Sequence, residues 1–191
     1  MVNKHVDSKK FDEMKKELDG FDVYREKVIA VSRDIIKVSK LIIYAVQRDS
    51  FSEAEKHIVK IKELLKKLPE NSYDTGMRGV ALQEYVEAMT FYYIITQNKL
   101  VPKEELYGVS TTDYLLGLCD LTGELMRKSV NYVIKGKFSE AEKLRNYVDE
   151  LYHEFLKLTL RNGELRKKSD QIKWNLEKLS NMMYDIKIKR G

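Results

Sequence analysis

The sequence predicts a soluble, all-α domain, and three observations support this prediction. Its 191 residues include only 2 prolines and 9 glycines, so few turn-forming residues are available for a many-stranded sheet. Apolar residues recur every three or four positions over long segments, which is the spacing of one face of a helix. Hydrophobic residues make up 43% of the chain and charged residues 34%, a balance typical of globular proteins. The length suits a single domain over residues 1–191.

The first long helix is predicted over residues 22–47. Asp19-Gly20 should separate it from an N-terminal helical extension over residues 1–20, because glycine often marks a break between helices. The extension is rich in lysines and acids and has no apolar segment, so it does not resemble a signal peptide. Along the helix itself, apolar residues recur at helical spacing: Val28, Val31, Ile35, Val38, Ile42 and Val46.

A turn at Asp49-Ser50-Phe51 precedes the second helix, which is predicted over residues 52–68 and stops at Pro69. Ser52 and Glu55 have the S-x-x-E spacing of a capping box, in which two side chains satisfy free N–H groups at a helix start. The hexapeptide FSEAEK occurs at residues 51–56 and again at 138–143. Two copies do not make a repeat protein. We interpret them as two turns that each provide the N-terminal cap of the helix that follows.

Five more helices follow from the same periodicity, which gives seven in all. The fourth is only a short helical connection after Pro102, and the sixth begins with a second S-x-x-E box at Ser139. In order, the five cover residues 73–98, residues 103–106 closed by Gly108, a segment capped by Thr111 or Thr112 and ending near Lys135-Gly136, a segment from Phe138 to a stop at Asn162-Gly163, and residues 164–188.

Composition excludes several classes of protein. Cys119 is the only cysteine, so an intramolecular disulfide is impossible and a thiolate metal site is not expected. No apolar run approaches the roughly 18 residues of a membrane span. We therefore expect a cytoplasmic protein without a membrane partner. The net charge of +5 permits a polyanionic partner but does not require one, since lysines also form ordinary solvated surfaces.

Two glutamates interrupt an apolar face of the third predicted helix. Glu84 and Glu87 are three residues apart, so both side chains can reach one point. A buried carboxylate is costly without a partner, and we expect a basic side chain or a metal ion to compensate. The apolar residues that share this face are Val80, Ala88, Phe91, Ile94 and Ile95.

The fifth predicted helix carries a second acidic pair, Asp120 and Glu124, at i, i+4 spacing. An ordinary solvated face also explains this pair, because it shares its stripe with Asp113, Arg127 and Asn131. If the two helices pack side by side, four carboxylates meet. Oxygen ligands suit Mg²⁺ or Mn²⁺, and such a metal can activate water for phosphodiester hydrolysis.

No other catalytic pattern is present in the sequence. It contains no glycine-rich phosphate loop, no G-x-S-x-G and no H-E-x-x-H. We interpret His153 as a structural residue rather than a general base.

The first long helix also carries a basic stripe, opposite its apolar face. A basic line with an aromatic ring can follow a phosphate backbone and stack a base, although a solvated helix face explains it equally well. The stripe consists of Arg33, Lys37, Lys40, Tyr44 and Arg48.

Four segments together resemble the translin family: residues 25–40, 82–88, 113–127 and 165–191. The most specific are LQEYVEA at 82–88 and DYLLGLCDLTGELMR at 113–127, in this order and spacing. The resemblance implies a seven-helix subunit that assembles into a hollow particle, usually of eight subunits, around single-stranded RNA or DNA.

The family has two branches, and the resemblance implies a role for the four acids. Trax-type members are Mg²⁺-dependent endoribonucleases whose acids fall on Glu84, Glu87, Asp120 and Glu124 of this chain. Translin-type members bind nucleic acid without the full acidic set, and the C-terminal segment here is at least as similar to theirs. A lone chain of this kind resembles an archaeal-type, Trax-like member that forms a homo-oligomer.

Three functional hypotheses therefore stand. The first is a homo-octameric, Mg²⁺- or Mn²⁺-dependent endoribonuclease that cuts single-stranded RNA, with the four acids as metal ligands. The second is a particle that binds single-stranded RNA or DNA without cutting it. The third is a helical scaffold whose carboxylates form salt bridges with Arg127 or lysines.

Overall fold

The computed structural model describes residues 6–190, with the side chains of residues 6–188. The prediction of an all-α fold is confirmed. Within the described residues there are six α-helices, one 3-10 helix and no strand. They are α1 (Ser8–Gln47), α2 (Phe51–Lys67), α3 (Met77–Gln97), the 3-10 helix (Lys103–Glu105), α4 (Thr111–Ile134), α5 (Phe138–Leu156) and α6 (Glu164–Arg190). Six α-helices thus replace the seven expected, because the short fourth helix is a single 3-10 turn.

Most helix contacts join helices that are one or two positions apart in the chain. α1 packs against α2 and α3, α3 packs against α4, and α4 packs against α5 and α6, which also touch each other. The apolar stripe of α1 is buried as predicted: Val28, Ile35, Val38, Ile42 and Val46 all lie in the core. Within the part of the chain that the structure describes, no helix is long and apolar enough to cross a membrane.

The predicted break at Asp19-Gly20 is wrong. α1 runs for 40 residues without interruption, which corresponds to about 60 Å at the helical rise. One glycine costs a helix only about 1 kcal/mol relative to alanine, and this is too little to end it. Residues 8–20 are exposed along their whole length.

The two predicted capping boxes are also wrong. α2 begins at Phe51 after the N-cap Ser50, and α5 begins at Phe138 after the N-cap Lys137, and neither cap makes a side-chain hydrogen bond. The two FSEAEK turns nevertheless share one backbone shape. The N-cap angles are φ −89°, ψ 65° at Ser50 and φ −88°, ψ 66° at Lys137. Each follows a residue with positive φ, Asp49 or Gly136.

Other helix ends shift by a few residues for local reasons. α3 begins at Met77 rather than 73, because Tyr73 and Asp74 both have positive φ, which no α-helix accommodates. α4 is capped by Ser110 rather than Thr111 or Thr112, and its Oγ accepts the N–H of Asp113 at 3.1 Å. α5 ends at Leu156, six residues before the expected stop at Asn162.

The backbones of α3 and α4 approach each other closely at Gly117. A Cβ atom there would lie 2.7 Å from the carbonyl oxygen of Gln83 and 2.7 Å from Cβ of Val86. Only glycine fits such a contact without a shift of the backbone. This approach places the acids of α4 beside those of α3.

Candidate active site

The structure brings all four predicted acids to one region between α3 and α4. Glu84, Glu87, Asp120 and Glu124 are each half-buried. Three of them line a cavity of about 350 Å³, and Asp120 is close enough to raise the pKa of Glu84 and Glu87. The lining residues are Lys40, Ile43, Tyr44, Glu84, Glu87, Glu124 and Arg127.

Glu87 is the acid without a counterion. Its carboxylate makes no hydrogen bond or ion pair with any of residues 6–188. Burial, followed by the nearby charges of Asp120, Glu124 and Glu84, raises its pKa to about 8. The shift has the sign expected for a carboxyl group taken out of water among like charges. Without a cation, the carboxyl of Glu87 is therefore mostly protonated at neutral pH, and a bound cation would favour its ionised form.

The other three acids each contact a basic side chain. Lys168 Nζ lies 2.6 Å from Asp120 Oδ2, and Arg127 Nη2 lies 2.6 Å from Glu124 Oε2. Lys40 Nζ lies 3.5 Å from Glu84 Oε1, yet burial still raises the pKa of Glu84. These pairs are the arrangement that the scaffold hypothesis expects.

Sequence reasoning did not find two residues of this site. Gln47 is buried at the end of α1 and donates hydrogen bonds to Glu124. Lys168 comes from α6 and belongs to the segment at 165–191 that resembles the translin family. The only signal in the sequence for Gln47 was a polar residue where the apolar stripe of α1 ends.

The basic stripe is exposed along α1, as its spacing predicts. It leads into the acidic cavity, because Lys40 and Tyr44 line that cavity. The guanidinium of Arg48 lies 5.3 Å from the centre of the Tyr44 ring and donates to its hydroxyl at 3.2 Å. The two predicted sites are thus one continuous surface.

His153 lies elsewhere. It is exposed on α5 and lines a different cavity, of about 590 Å³, together with Glu150 and Glu154. Glu150 and His153 have Glu-x-x-His spacing, but a di-iron bundle needs that motif on two helices.

In the part of the chain that the structure describes, no three histidine, cysteine or acidic side chains are arranged to hold a metal ion.

The donor chemistry of the α3–α4 site fits Mg²⁺ or Mn²⁺. It offers four carboxylates, one of which lacks a counterion, and oxygen donors are the ligands that these ions prefer. Binding at this site would require Asp120 to turn from Lys168 toward Glu87. Lys168 is a long side chain, which can move away from Asp120.

Comparisons with known proteins agree with the fold and with the family resemblance. The family model described as the Translin family matches residues 23–190. An uncharacterized protein of Methanocaldococcus jannaschii is 30% identical, with 82% of this chain and 73% of that protein covered. Translin of Mus musculus is 30% identical over 74% of this chain and 68% of its own length. Translin-associated protein X of Pongo abelii is 27% identical over 94% and 78%.

Two solved structures have the same fold. The crystal structure of apo-NeC3PO has a TM-score of 0.84 at 31% identity, with 96% of this chain and 97% of that chain covered. AfC3PO in complex with duplex RNA has a TM-score of 0.84 at 26% identity, with 95% and 98% covered.

Proposed function

Because the chain belongs to the translin family, we propose that it binds nucleic acid and cuts single-stranded RNA as an Mg²⁺-dependent endoribonuclease. One observation supports this most strongly: three carboxylates line a cavity that the basic stripe of α1 enters, and a fourth, Asp120, lies beside them. The similar AfC3PO has been solved with duplex RNA, which supports RNA as the ligand of this fold.

In this proposal, the acidic residues bind the metal ion and the basic residues bind phosphates. Glu84, Glu87, Asp120 and Glu124 would hold the metal ion, with Mn²⁺ as an alternative to Mg²⁺. Once bound, the ion supplies an activated water and offsets charge on the scissile phosphate. Lys40 and Arg127 lie at the cavity and bind phosphate oxygens, which stabilises negative charge as it develops. Arg33, Lys37 and Arg48 bind the phosphates that follow, and Tyr44 stacks a base.

Self-association is part of the proposal. Large apolar side chains are exposed in the N-terminal part of α1, at Phe11, Met14 and Leu18, and on α6, at Trp174 and Tyr184. Apolar patches of this kind mark interaction sites. We propose that copies of the chain cover them, in a homo-oligomer of eight subunits as in the family that the chain resembles.

One experiment tests the activity directly. Purified protein is incubated with end-labelled single-stranded RNA, duplex RNA and single-stranded DNA, each with Mg²⁺, with Mn²⁺ and with chelator. We expect cleavage of single-stranded RNA that the chelator abolishes. Binding without cleavage in either metal would contradict the enzymatic proposal.

The ion pairs at three of the four acids, which the scaffold hypothesis expects, are equally compatible with a second candidate function, a particle that binds single-stranded RNA or DNA and does not cut it. In that case Lys40, Arg127 and Lys168 serve to neutralise the carboxylates, and the acidic cluster is structural. The same incubation separates the two candidates, because the binding particle retains labelled RNA intact.

A further inference from the structure

Gln47 connects the end of α1 to a proposed metal ligand on α4. Its side chain is only 7% exposed, although glutamine is usually found at the surface. Nε2 of Gln47 donates to the backbone oxygen of Glu124 at 2.9 Å and to the carboxylate Oε2 of Glu124 at 2.8 Å. A side-chain amide has two N–H donors, and both are used on this one residue.

The orientation of the Gln47 amide is fixed by chemistry. A backbone carbonyl only accepts hydrogen bonds, so the group that faces the oxygen of Glu124 must be the NH₂ end of the amide. The opposite end, Oε1, accepts from Nδ2 of Asn131 at 3.3 Å. Turning the amide over would place two acceptors together at Glu124 and two donors together at Asn131.

The backbone of Gln47 is also anchored to α4. The ammonium of Lys128, which is 1% exposed, donates to the backbone oxygens of Val46 at 2.8 Å and Gln47 at 3.2 Å. It also donates to Oδ1 of Asp49 at 2.6 Å. Carbonyl groups in the last turn of a helix lack an intrahelical i+4 donor. Lys128 supplies a donor to both oxygens, and the oxygen of Val46 also accepts from the N–H of Asp49 at 3.2 Å. Lys128 and Glu124 lie one turn apart on α4, so the same helix that carries the carboxylate also holds the residue that orients it.

The contacts to Glu124 all fall on one side of its carboxylate. Both the Gln47 amide and the closest nitrogen of Arg127 approach Oε2, while no hydrogen bond among the described residues is made to Oε1. Glu124 lines the acidic cavity. Hydrogen bonds that hold one oxygen of a metal-binding carboxylate fix the direction of the other.

We propose that Gln47 is a positioning residue, which holds Glu124 by Oε2 so that Oε1 is available to a divalent cation in the cavity. This inference rests on the proposed function, since it concerns the same site. It assigns no catalytic step to Gln47, whose side chain acts only through Glu124.

The test is Gln47→Met, which keeps the length of the side chain and removes both donors. Binding of Mn²⁺ is titrated by electron paramagnetic resonance, and RNA cleavage is measured against Mg²⁺ concentration. Partners of metal ligands typically contribute about 10- to 100-fold in metal affinity, so we expect Mn²⁺ binding to weaken by about that factor. Cleavage should recover as the Mg²⁺ concentration is raised.

Two further variants control for a loss of structure. Ser129→Ala removes another buried polar group of α4, whose hydroxyl donates to the backbone of Ala141 at 3.2 Å, and its Mn²⁺ affinity should equal that of the parent. Asn131→Ala leaves the amide donors of Gln47 in place but removes the hydrogen bond to Oε1, which is one of the contacts that hold the amide in its orientation. It should also weaken Mn²⁺ binding, but by a smaller factor than Gln47→Met does.

The outcomes distinguish a failure of the positioning role of Gln47 from a failure of the proposed function. A folded Gln47→Met protein that binds Mn²⁺ as tightly as the parent overturns the positioning role. If Gln47→Met does not fold, unchanged Mn²⁺ affinity in Asn131→Ala overturns it. A parent protein that neither binds Mn²⁺ nor cleaves RNA overturns the proposed function instead.

Discussion

Glu87 differs from the other three acids of the site because no basic side chain among the described residues pairs with it. The helical period places Glu84 and Glu87 on an otherwise apolar face, and both are half-buried as expected. A basic partner or a metal was expected for each acid, yet only Glu84 has a basic side chain within reach. The partners of the acids come from α1 and α6 as well as α4. Lys168 and Gln47 could not be predicted, because their positions depend on how distant helices pack.

The raised pKa of Glu87 makes stability depend on pH. Below pH 4.5, which is the ordinary pKa of a glutamate, the carboxyl is protonated in both folded and unfolded protein. Between 4.5 and about 8, only the unfolded chain releases the proton, so the free energy of unfolding falls as pH rises through this window. Glu87→Gln removes this penalty. Without metal, the variant should melt higher than the parent, by a margin that grows from about pH 5 to about pH 8.5.

Asp120→Asn is the matched control for that experiment. It removes a carboxylate from the same cluster but leaves the half-buried ammonium of Lys168 without its partner. Loss of one member of a buried pair is destabilising, so this variant should melt below the parent. If Glu87→Gln melts below the parent to the same extent, Glu87 has a partner that stabilises the fold. In the cleavage assay both variants should be inactive and should still bind RNA.

At the scale of elements, the existence of the helices and the starts of α5 and α6 were predictable, while the helix caps and several other helix ends were not. The period of apolar residues located every α-helix, and only the short fourth segment proved to be a 3-10 turn. The S-x-x-E spacing misled twice because Ser52 and Ser139 lie inside the first turns of α2 and α5. The N-caps are instead Ser50 and Lys137, and each follows a residue with positive φ, Asp49 or Gly136. Periodicity carries no information about these two turns.

Two glycine substitutions should have opposite effects on stability, because Gly117 lies where α3 and α4 approach closely and Gly20 does not. Gly117→Ala forces a methyl group against the backbone of Gln83, and overpacking of this kind costs about 1–3 kcal/mol. Gly20→Ala meets nothing within 4 Å and lies inside α1, so it should stabilise the protein by up to about 1 kcal/mol. Chemical denaturation measures both. Equal stability of the two variants would mean that α3 and α4 can separate without cost.

The basic stripe of α1 predicts a loss of binding with a defined salt dependence. Arg33 and Lys37 are exposed, and each phosphate contact to a single strand contributes about 0.7 to the slope of log affinity against log salt. The double variant Arg33→Ala/Lys37→Ala should bind single-stranded RNA more weakly, with a slope that is smaller by about 1.4. Lys62→Ala/Lys66→Ala on α2 removes the same charge from exposed positions. Equal effects of the two pairs would assign the change to net charge alone.

At the scale of the whole molecule, the exposed apolar residues predict assembly. The N-terminal part of α1 carries exposed apolar side chains, with Phe11 62% exposed and Leu18 66% exposed. On α6, Trp174 is 62% exposed. We expect light scattering to give a mass several times that of the 22.5 kDa chain. A monomer at micromolar concentration would contradict the oligomer, and with it a cavity enclosed by several subunits.

The burial of the lone thiol gives this protein a built-in reporter of local unfolding. Cys119 is 1% exposed and directly precedes Asp120. Burial, and next the charge of Asp120, raise the pKa of the thiol to about 12. Since the thiolate is the reactive form, a thiol reagent can modify the folded protein only when α4 opens locally. The labelling rate therefore measures the frequency of that opening at the acidic site, with no engineered probe. Mg²⁺ or RNA bound at the site should slow the labelling, while both should leave the rate in denaturant unchanged.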